Sequence, residues 1–151
     1  MEETSVFEKF ELQLDQSAKD FLKETAKWAY FLSILGFVGI GFFVLFAIFA
    51  GAIFASLGSA AGVGMFAGSL GAFMSFIYLA IAAVYFFPVY YLFRFGSNAK
   101  RAFKENDSEA LTSSLGYLKS HYKFIGIFMV SILSLYAIIF VFAILGGLLG
   151  R

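Results

Sequence analysis

The feature that most constrains this chain is a run of 66 residues, Trp28 to Phe93, without a single Asp, Glu, Lys or Arg. A second charge-free run covers 27 residues, Phe124 to Gly150. A charge at mid-bilayer costs about 2.5–3.5 kcal/mol on insertion scales, so membrane-crossing chains avoid charges there. Only 14% of the residues are charged and 61% are hydrophobic, whereas about 25% are charged in soluble domains. The sequence predicts an integral membrane protein and argues against a soluble enzyme, a nucleic-acid-binding protein or a disulfide-stapled secreted domain.

The first run is too long for a single helix, because about 20 residues cross the hydrocarbon. Its least hydrophobic stretch, 56–64, contains three glycines and marks the break. We predict one membrane domain, residues 1–151, that is an all-α bundle with amphipathic cytoplasmic helices. Its three long transmembrane helices are expected near residues 29–55, 66–93 and 124–149.

The basic residues indicate the orientation of the bundle. Residues 1–27 contain four lysines and residues 94–123 contain six Lys or Arg. Two spans separate these segments, so both lie on one side, and the positive-inside rule makes that side cytoplasmic. We therefore expect the N-terminus inside and the C-terminus outside. Aromatic residues that favour the membrane interface lie at the same boundary: Trp28, Tyr30, Tyr90, Tyr91 and Tyr122.

The segment before the first span predicts an amphipathic helix over residues 6–28. Apolar residues recur there at steps of three or four: Phe7, Phe10, Leu14, Ala18, Phe21, Thr25 and Trp28. This pattern is typical of a helix that lies on lipid headgroups or runs into the first span, and docking to a partner protein is the alternative. Residues 1–27 sum to −3 and residues 94–123 to +3. We therefore expect this helix to pack on a helix over 107–122, forming a two-helix cap in which Phe10 or Leu14 approaches Leu115.

The connection over residues 94–123 is predicted to be cytoplasmic, basic and partly helical. Its first basic residues are Arg94, Lys100, Arg101 and Lys104. We expect them to determine the topology and to attract anionic lipids, and a specific lipid or nucleotide site is the alternative. Asn106 is predicted to cap the next helix, with Glu109 reaching back. His121 is expected to be a solvated interfacial residue, because no second histidine or cysteine accompanies it.

Within the spans, small residues recur at every fourth position and predict close helix packing. The packing candidates are Ala47, Gly51 and Ala55 in the first span, and Gly64, Gly68 and Ala72 at the second. We expect them to close the hairpin of the first two spans, and contact between copies of the chain is the alternative. Pro88 lacks the N–H that would bond to the Val84 carbonyl, which predicts a hinge in the second span.

The sequence contains no constellation that indicates catalysis, a cofactor or a metal. The spans carry serine and tyrosine but no ionisable pair of the kind that proton-coupled carriers use. We expect a non-enzymatic accessory or scaffold subunit of a membrane complex, or a homo-oligomer; a small oligomeric channel or transporter pore is the alternative. The expected partners are the bilayer, anionic lipids at its cytoplasmic face, and a protein or a second copy, with no nucleic acid.

Short basic–aromatic signatures occur in a fixed order along the chain. They are Ala-Lys-Trp-Ala-Tyr-Phe at 26–31, Tyr-Leu-Phe-Arg-Phe-Gly at 91–96, Ala-Lys-Arg-Ala at 99–102, Leu-x-x-Leu-Lys at 115–119 and Tyr-Lys-Phe-Ile-Gly-Ile at 122–127. Over residues 14–145 the chain resembles a family of small multi-pass membrane proteins of Bacteroidota, known only as a domain of unknown function. The resemblance implies a bacterial cytoplasmic (inner) membrane, with a periplasmic C-terminus, and supplies no activity, ligand or catalytic residue.

Overall fold

The computed structural model describes residues 15–149, with side chains to residue 147. Over this range it consists of three α-helices: α1 (Gln16–Ala60), α2 (Gly64–Glu105) and α3 (Ser108–Leu149), of 45, 42 and 42 residues. All three are long and apolar enough to cross a membrane. The prediction of an all-α bundle with three long apolar helices is therefore confirmed, and these helices indicate a multi-pass membrane protein.

The first helix continues without a break from the charged segment into the apolar run. Asp15 caps it, because its backbone is extended and its carboxylate accepts the Ala18 N–H at 2.7 Å. The described part of the amphipathic segment therefore forms the first turns of α1 and runs directly into the first predicted span. Residues 6–14 of that segment lie outside the described range.

A three-residue turn, 61–63, joins α1 to α2. The N–H groups of Ala61 and Val63 donate to carbonyls in the last turn of α1, at 3.0 and 2.9 Å, and satisfy acceptors that the helix end leaves free. Gly62 has a φ of 73°, a left-handed conformation that glycine adopts without steric cost. The turn is narrower than the break predicted over 56–64, because residues 56–60 remain helical.

The turn between α2 and α3 differs from its prediction by one residue. Asn106 does not cap α3; it ends α2 in a left-handed conformation with a φ of 52°, and its N–H donates to Ala102 O. Asp107 is the cap, since its carboxylate accepts the N–H groups of Glu109 at 2.9 Å and Ala110 at 3.0 Å. An amide side chain tolerates the left-handed region, while a carboxylate is the better partner for a helix N-terminus.

The second helix lies between the other two. Among the described residues, no Cα atom of α1 comes within 8 Å of a Cα atom of α3. The predicted two-helix cap is therefore wrong over this range, because the end of α2 packs between the two helices. Leu14 and Phe10 lie outside the described residues. A cluster at this end joins Ala26 and Ala29 of α1 to Phe95 and Ala99 of α2, with Leu22, Leu92, Phe103, Tyr117 and Leu118 packed against it.

The face that α1 buries in this cluster is not the face that its large apolar residues predict. Phe21 and Trp28 are 70% and 58% exposed, whereas Ala26 and Ala29 are buried. In lipid, exposed aromatic side chains carry no hydrophobic penalty, and small residues let two backbones approach closely. The inward face is consequently the one with the small side chains.

Candidate functional site

The contact between α1 and α2 is a seam of small residues that extends along the whole hairpin. A Cβ atom built on Gly71 would lie 2.9 Å from Phe54 Cβ and 3.2 Å from Gly51 Cα. A Cβ on Gly58 would overlap Ala67, and one on Gly96 would lie 2.9 Å from Ala26 O. These approaches need residues without a side chain, so the hairpin is closed within one chain.

The sequence predicted packing residues of α1 in this seam correctly, but for α2 it predicted the neighbouring row of small residues instead of the row that packs. Ala47 is buried and Gly51 contacts α2, as expected for packing residues. Of the predicted α2 residues, only Gly64 contacts α1, since a Cβ on Gly58 would lie 3.4 Å from Gly64 Cα. A Cβ on Gly68 would meet nothing within 4 Å, and Ala72 is exposed, as is Ala55 in α1. The stripe that packs is Ala67, Gly71 and Ser75, which has the same spacing of four residues.

Ser75 adds a polar link to the seam that the sequence did not reveal. Its hydroxyl donates across the interface to Ala47 O, whereas the Ser69 hydroxyl donates to Met65 O within its own helix at 3.0 Å. A serine that can bond to its own helix looks the same in sequence as one that bonds to a neighbour. The structure therefore separates a packing serine from a locally satisfied one.

The four basic residues predicted to bind lipid headgroups do not converge on one pocket. Lys100 places Nζ 3.7 Å from the centre of the Tyr30 ring in α1. Arg101 approaches Asp107 at 4.0 Å in the turn after α2, and Lys104 lies exposed in the last turn. The four therefore form a distributed basic surface.

Arg94, which lies one residue beyond the predicted second span, makes the most side-chain contacts of these four cations. Its Nε–H donates to the Tyr90 hydroxyl at 2.9 Å, and the guanidinium carbon lies 5.4 Å from the Tyr90 ring centre and 6.0 Å from that of Tyr117 in α3. The hydrogen bond to Tyr90 raises the pKa of Arg94 above its ordinary value, because it favours the charged guanidinium. A permanent charge held between α2 and α3 suits an anionic headgroup.

The aromatic residues predicted for the membrane interface lie at the same end of the bundle. The Tyr30 ring contacts that of Phe93 at 5.3 Å between centroids, which aligns the start of α1 with the end of α2. Trp28 and Tyr122 line one groove between α1 and α3. That these aromatic residues lie at a lipid–water boundary remains a prediction. The aligned set is Trp28, Tyr30, Tyr90, Tyr91 and Tyr122.

Pro88 lies inside α2, and the structure gives it a partner that the sequence did not indicate. Helix α2 continues through Pro88, and the hinge remains a prediction. His121 of α3 places Nδ1 2.8 Å from Pro88 O. The expectation of a solvated histidine is therefore wrong, because His121 is half-buried and joins two helices.

Beside this pair, an open groove of about 310 Å³ separates α2 from α3. We call it the α2–α3 groove. Its walls are almost wholly apolar apart from His121 and Tyr85. The ring of Phe124 in α3 stacks on that of Phe87 in α2 at 6.0 Å and on that of Phe128 in α3 at 6.4 Å. The lining residues are Val84, Tyr85, Pro88, Val89, His121, Phe124, Ile125, Phe128 and Met129.

Within residues 15–149, no three His, Cys, Asp or Glu side chains are grouped so that they could hold a metal ion. Comparison of the chain with protein-family models, with curated proteins and with solved structures gives no match. The candidate sites consequently rest on geometry alone: the small-residue seam, the basic surface around Arg94 and the α2–α3 groove.

Proposed function

We propose that this protein is a non-enzymatic subunit of a membrane assembly, acting as an accessory or scaffold component or as a homo-oligomer. This proposal rests on the exposure of the C-terminal part of α3, beyond the α2–α3 groove. From residue 130 to residue 147 every side chain is exposed except that of Ile132, which is half-buried. This half of a long apolar helix is therefore available to lipid and to another protein.

Tyr136 distinguishes this surface from a purely lipid-facing one. Its side chain is 67% exposed at the centre of the second charge-free run, and its hydroxyl forms no hydrogen bond to the described part of the chain. A hydroxyl facing hydrocarbon without a partner is costly, and a phenol is too rigid to reach its own helix backbone. An acceptor on a neighbouring subunit would satisfy it.

The seam between α1 and α2 supports a scaffold over a pore. A pore built from several copies would line its channel with small and hydroxyl residues. Here Gly51 and Gly71 pack against each other and Ser75 bonds to Ala47 O, all within one chain. One of the polar groups that a pore would need, the Ser75 hydroxyl, is thus used to close the hairpin.

The arrangement of basic residues supports an inner-membrane orientation with a cytoplasmic N-terminus. Contacts of Lys100 with Tyr30 and of Arg94 with Tyr117 bring basic residues to one end of all three helices. The opposite turn, 61–63, carries no charge. The positive-inside rule then places the basic end in the bacterial cytoplasm, where anionic lipid is the expected contact.

The test is to determine the intact mass of tagged protein extracted from its native membrane in nanodiscs. A stoichiometric second protein would identify an accessory subunit, and a defined multiple of the chain mass would identify a homo-oligomer. Tyr136→Phe should weaken either assembly, while Tyr122→Phe, which alters an equally exposed phenol outside the charge-free runs, should not. Monomeric protein at native expression, with Tyr136→Phe indistinguishable from wild type, would contradict the proposal.

A further inference from the structure

The α2–α3 groove joins an apolar lining to polar atoms that are mainly hydrogen-bond acceptors. Pro88 O can only accept, so the His121 Nδ1 that lies 2.8 Å away carries the hydrogen and donates it. In the neutral ring, Nε2 then holds a lone pair and is an acceptor. Nε2 of half-buried His121 has no hydrogen-bond partner among the described residues. Because no fully buried side-chain nitrogen or oxygen in this range lacks a partner, Nε2 must be accessible.

A second acceptor comes from the backbone of α2. Pro88 has no N–H, which leaves the Val84 carbonyl without its helical donor one turn earlier. Val84 and His121 both line the α2–α3 groove. A buried or lipid-facing carbonyl without a donor is costly, and such freed carbonyls in membrane helices are normally satisfied by a neighbouring group.

We propose that the α2–α3 groove binds a membrane-soluble alcohol, a molecule with an apolar body and a hydroxyl group. The hydroxyl would donate to His121 Nε2 or to Val84 O, and the apolar body would contact Phe128 and Met129. The volume of about 310 Å³ lies at the small end of the range of about 300–1,000 Å³ that is usual for small-molecule sites. His121 lies just before the second charge-free run, which is the depth that a hydroxyl on an apolar molecule prefers.

The hydrogen-bond pattern separates this ligand from the ester and phosphate groups of the surrounding lipid. These groups are acceptors, so they can pair with the Tyr85 hydroxyl that also lines the groove, but not with its two acceptors. A hydroxyl is a donor and can pair with those acceptors. An ether of the same shape fills the groove equally well but leaves both protein acceptors unpaired, and such a lack of pairing is what lets a polar site discriminate.

The test uses two photoreactive probes that share one long alkyl chain with a diazirine: a primary alcohol and its O-methyl ether. Wild-type protein in proteoliposomes should be labelled by the alcohol about fivefold more than by the ether, the ratio that one net hydrogen bond supplies. Peptide mapping should place the adducts within residues 84–89 and 121–129. This comparison needs no variant and so does not depend on how a substitution folds.

Two variants remove one acceptor each. In His121→Lys the side chain can still donate to Pro88 O but carries no acceptor, and Pro88→Ala restores an N–H for the Val84 carbonyl. Each should reduce alcohol labelling toward the ether level at unchanged helix content by circular dichroism. Tyr122→Phe, outside the α2–α3 groove, is the matched control and should label as wild type. Equal labelling by alcohol and ether, or adducts outside the groove, would overturn the proposal.

Discussion

Gly71 of α2 lies directly against Gly51 of α1, and a Cβ atom on Gly71 would stand 3.2 Å from Gly51 Cα and 3.3 Å from Gly51 O. Two backbones are therefore in contact in the part of the hairpin close to the 61–63 turn. The third obstacle to a larger residue is Phe54 Cβ at 2.9 Å, which is part of the rigid base of a side chain. The separation of α1 from α2 is thus set by the absence of side chains at these positions.

We expect Gly71→Ala to destabilise the hairpin by about 1–3 kcal/mol, the usual cost of overpacking a close contact. Gly68→Ala is the matched control, because its Cβ would meet nothing within 4 Å. It should be neutral or stabilise by up to about 1 kcal/mol, since alanine favours helix over glycine. The free energy of unfolding, measured by denaturant titration in mixed micelles, checks both. Equal effects of the two substitutions would contradict this packing.

This pair of glycines also shows where sequence reasoning reached its limit. The charge-free runs predicted three helices, because lipid excludes charge at every position of a span. The stripes 64, 68, 72 and 67, 71, 75 both consist of small residues spaced by four. A one-stripe rotation of α2 changes which large side chains face lipid, at almost no cost in an apolar solvent. The periodicity therefore predicted close packing and left its register undetermined.

The end of the bundle that carries the basic residues illustrates the same limit with larger residues. Phe21 and Trp28 suggested the inward face of α1, as they would in a soluble helix, yet both are exposed and Ala26 is buried. The partner of that face, Phe95, follows the first charge-free run by two residues and gives no periodic signal of its own. Only the position of α2 between α1 and α3, which is a tertiary property, explains why the small face turns inward.

Ser75 should contribute to stability in a way that other span serines do not. Ser75→Ala removes a hydrogen bond to Ala47 O across the seam, and we expect a loss of about 0.6–1.7 kcal/mol, the range for interhelical bonds in membranes. Ser69→Ala removes a bond within the helix, to Met65 O, and should change stability by less than about 0.5 kcal/mol. Denaturant titration of both variants in the same micelles gives the comparison. A larger loss for Ser69→Ala would show that the seam is not bridged by Ser75.

Asp107, and not the predicted Asn106, caps α3, while Asn106 ends α2. Asp107→Ala removes the acceptor for two backbone N–H groups, and we expect a loss of about 1 kcal/mol. Asn106→Gly should be neutral or slightly stabilising, because glycine adopts the left-handed conformation at 106 more readily. The measurement is thermal unfolding followed by circular dichroism. If Asn106→Gly proved the more harmful change, Asn106 would be the cap after all.

The orientation can be tested cleanly because the chain contains no cysteine. Ser59→Cys places a thiol at the end of α1 beside the uncharged turn, and Ser108→Cys places one at the start of α3 near the basic surface; both serines are exposed. In intact bacterial cells, a membrane-impermeant maleimide should modify the cysteine at 59 and spare the one at 108. After permeabilisation both should react, which controls for accessibility. The reverse pattern would place the basic surface outside, against the positive-inside rule, and would remove the argument that Arg94 and its neighbours contact anionic lipid on the cytoplasmic leaflet.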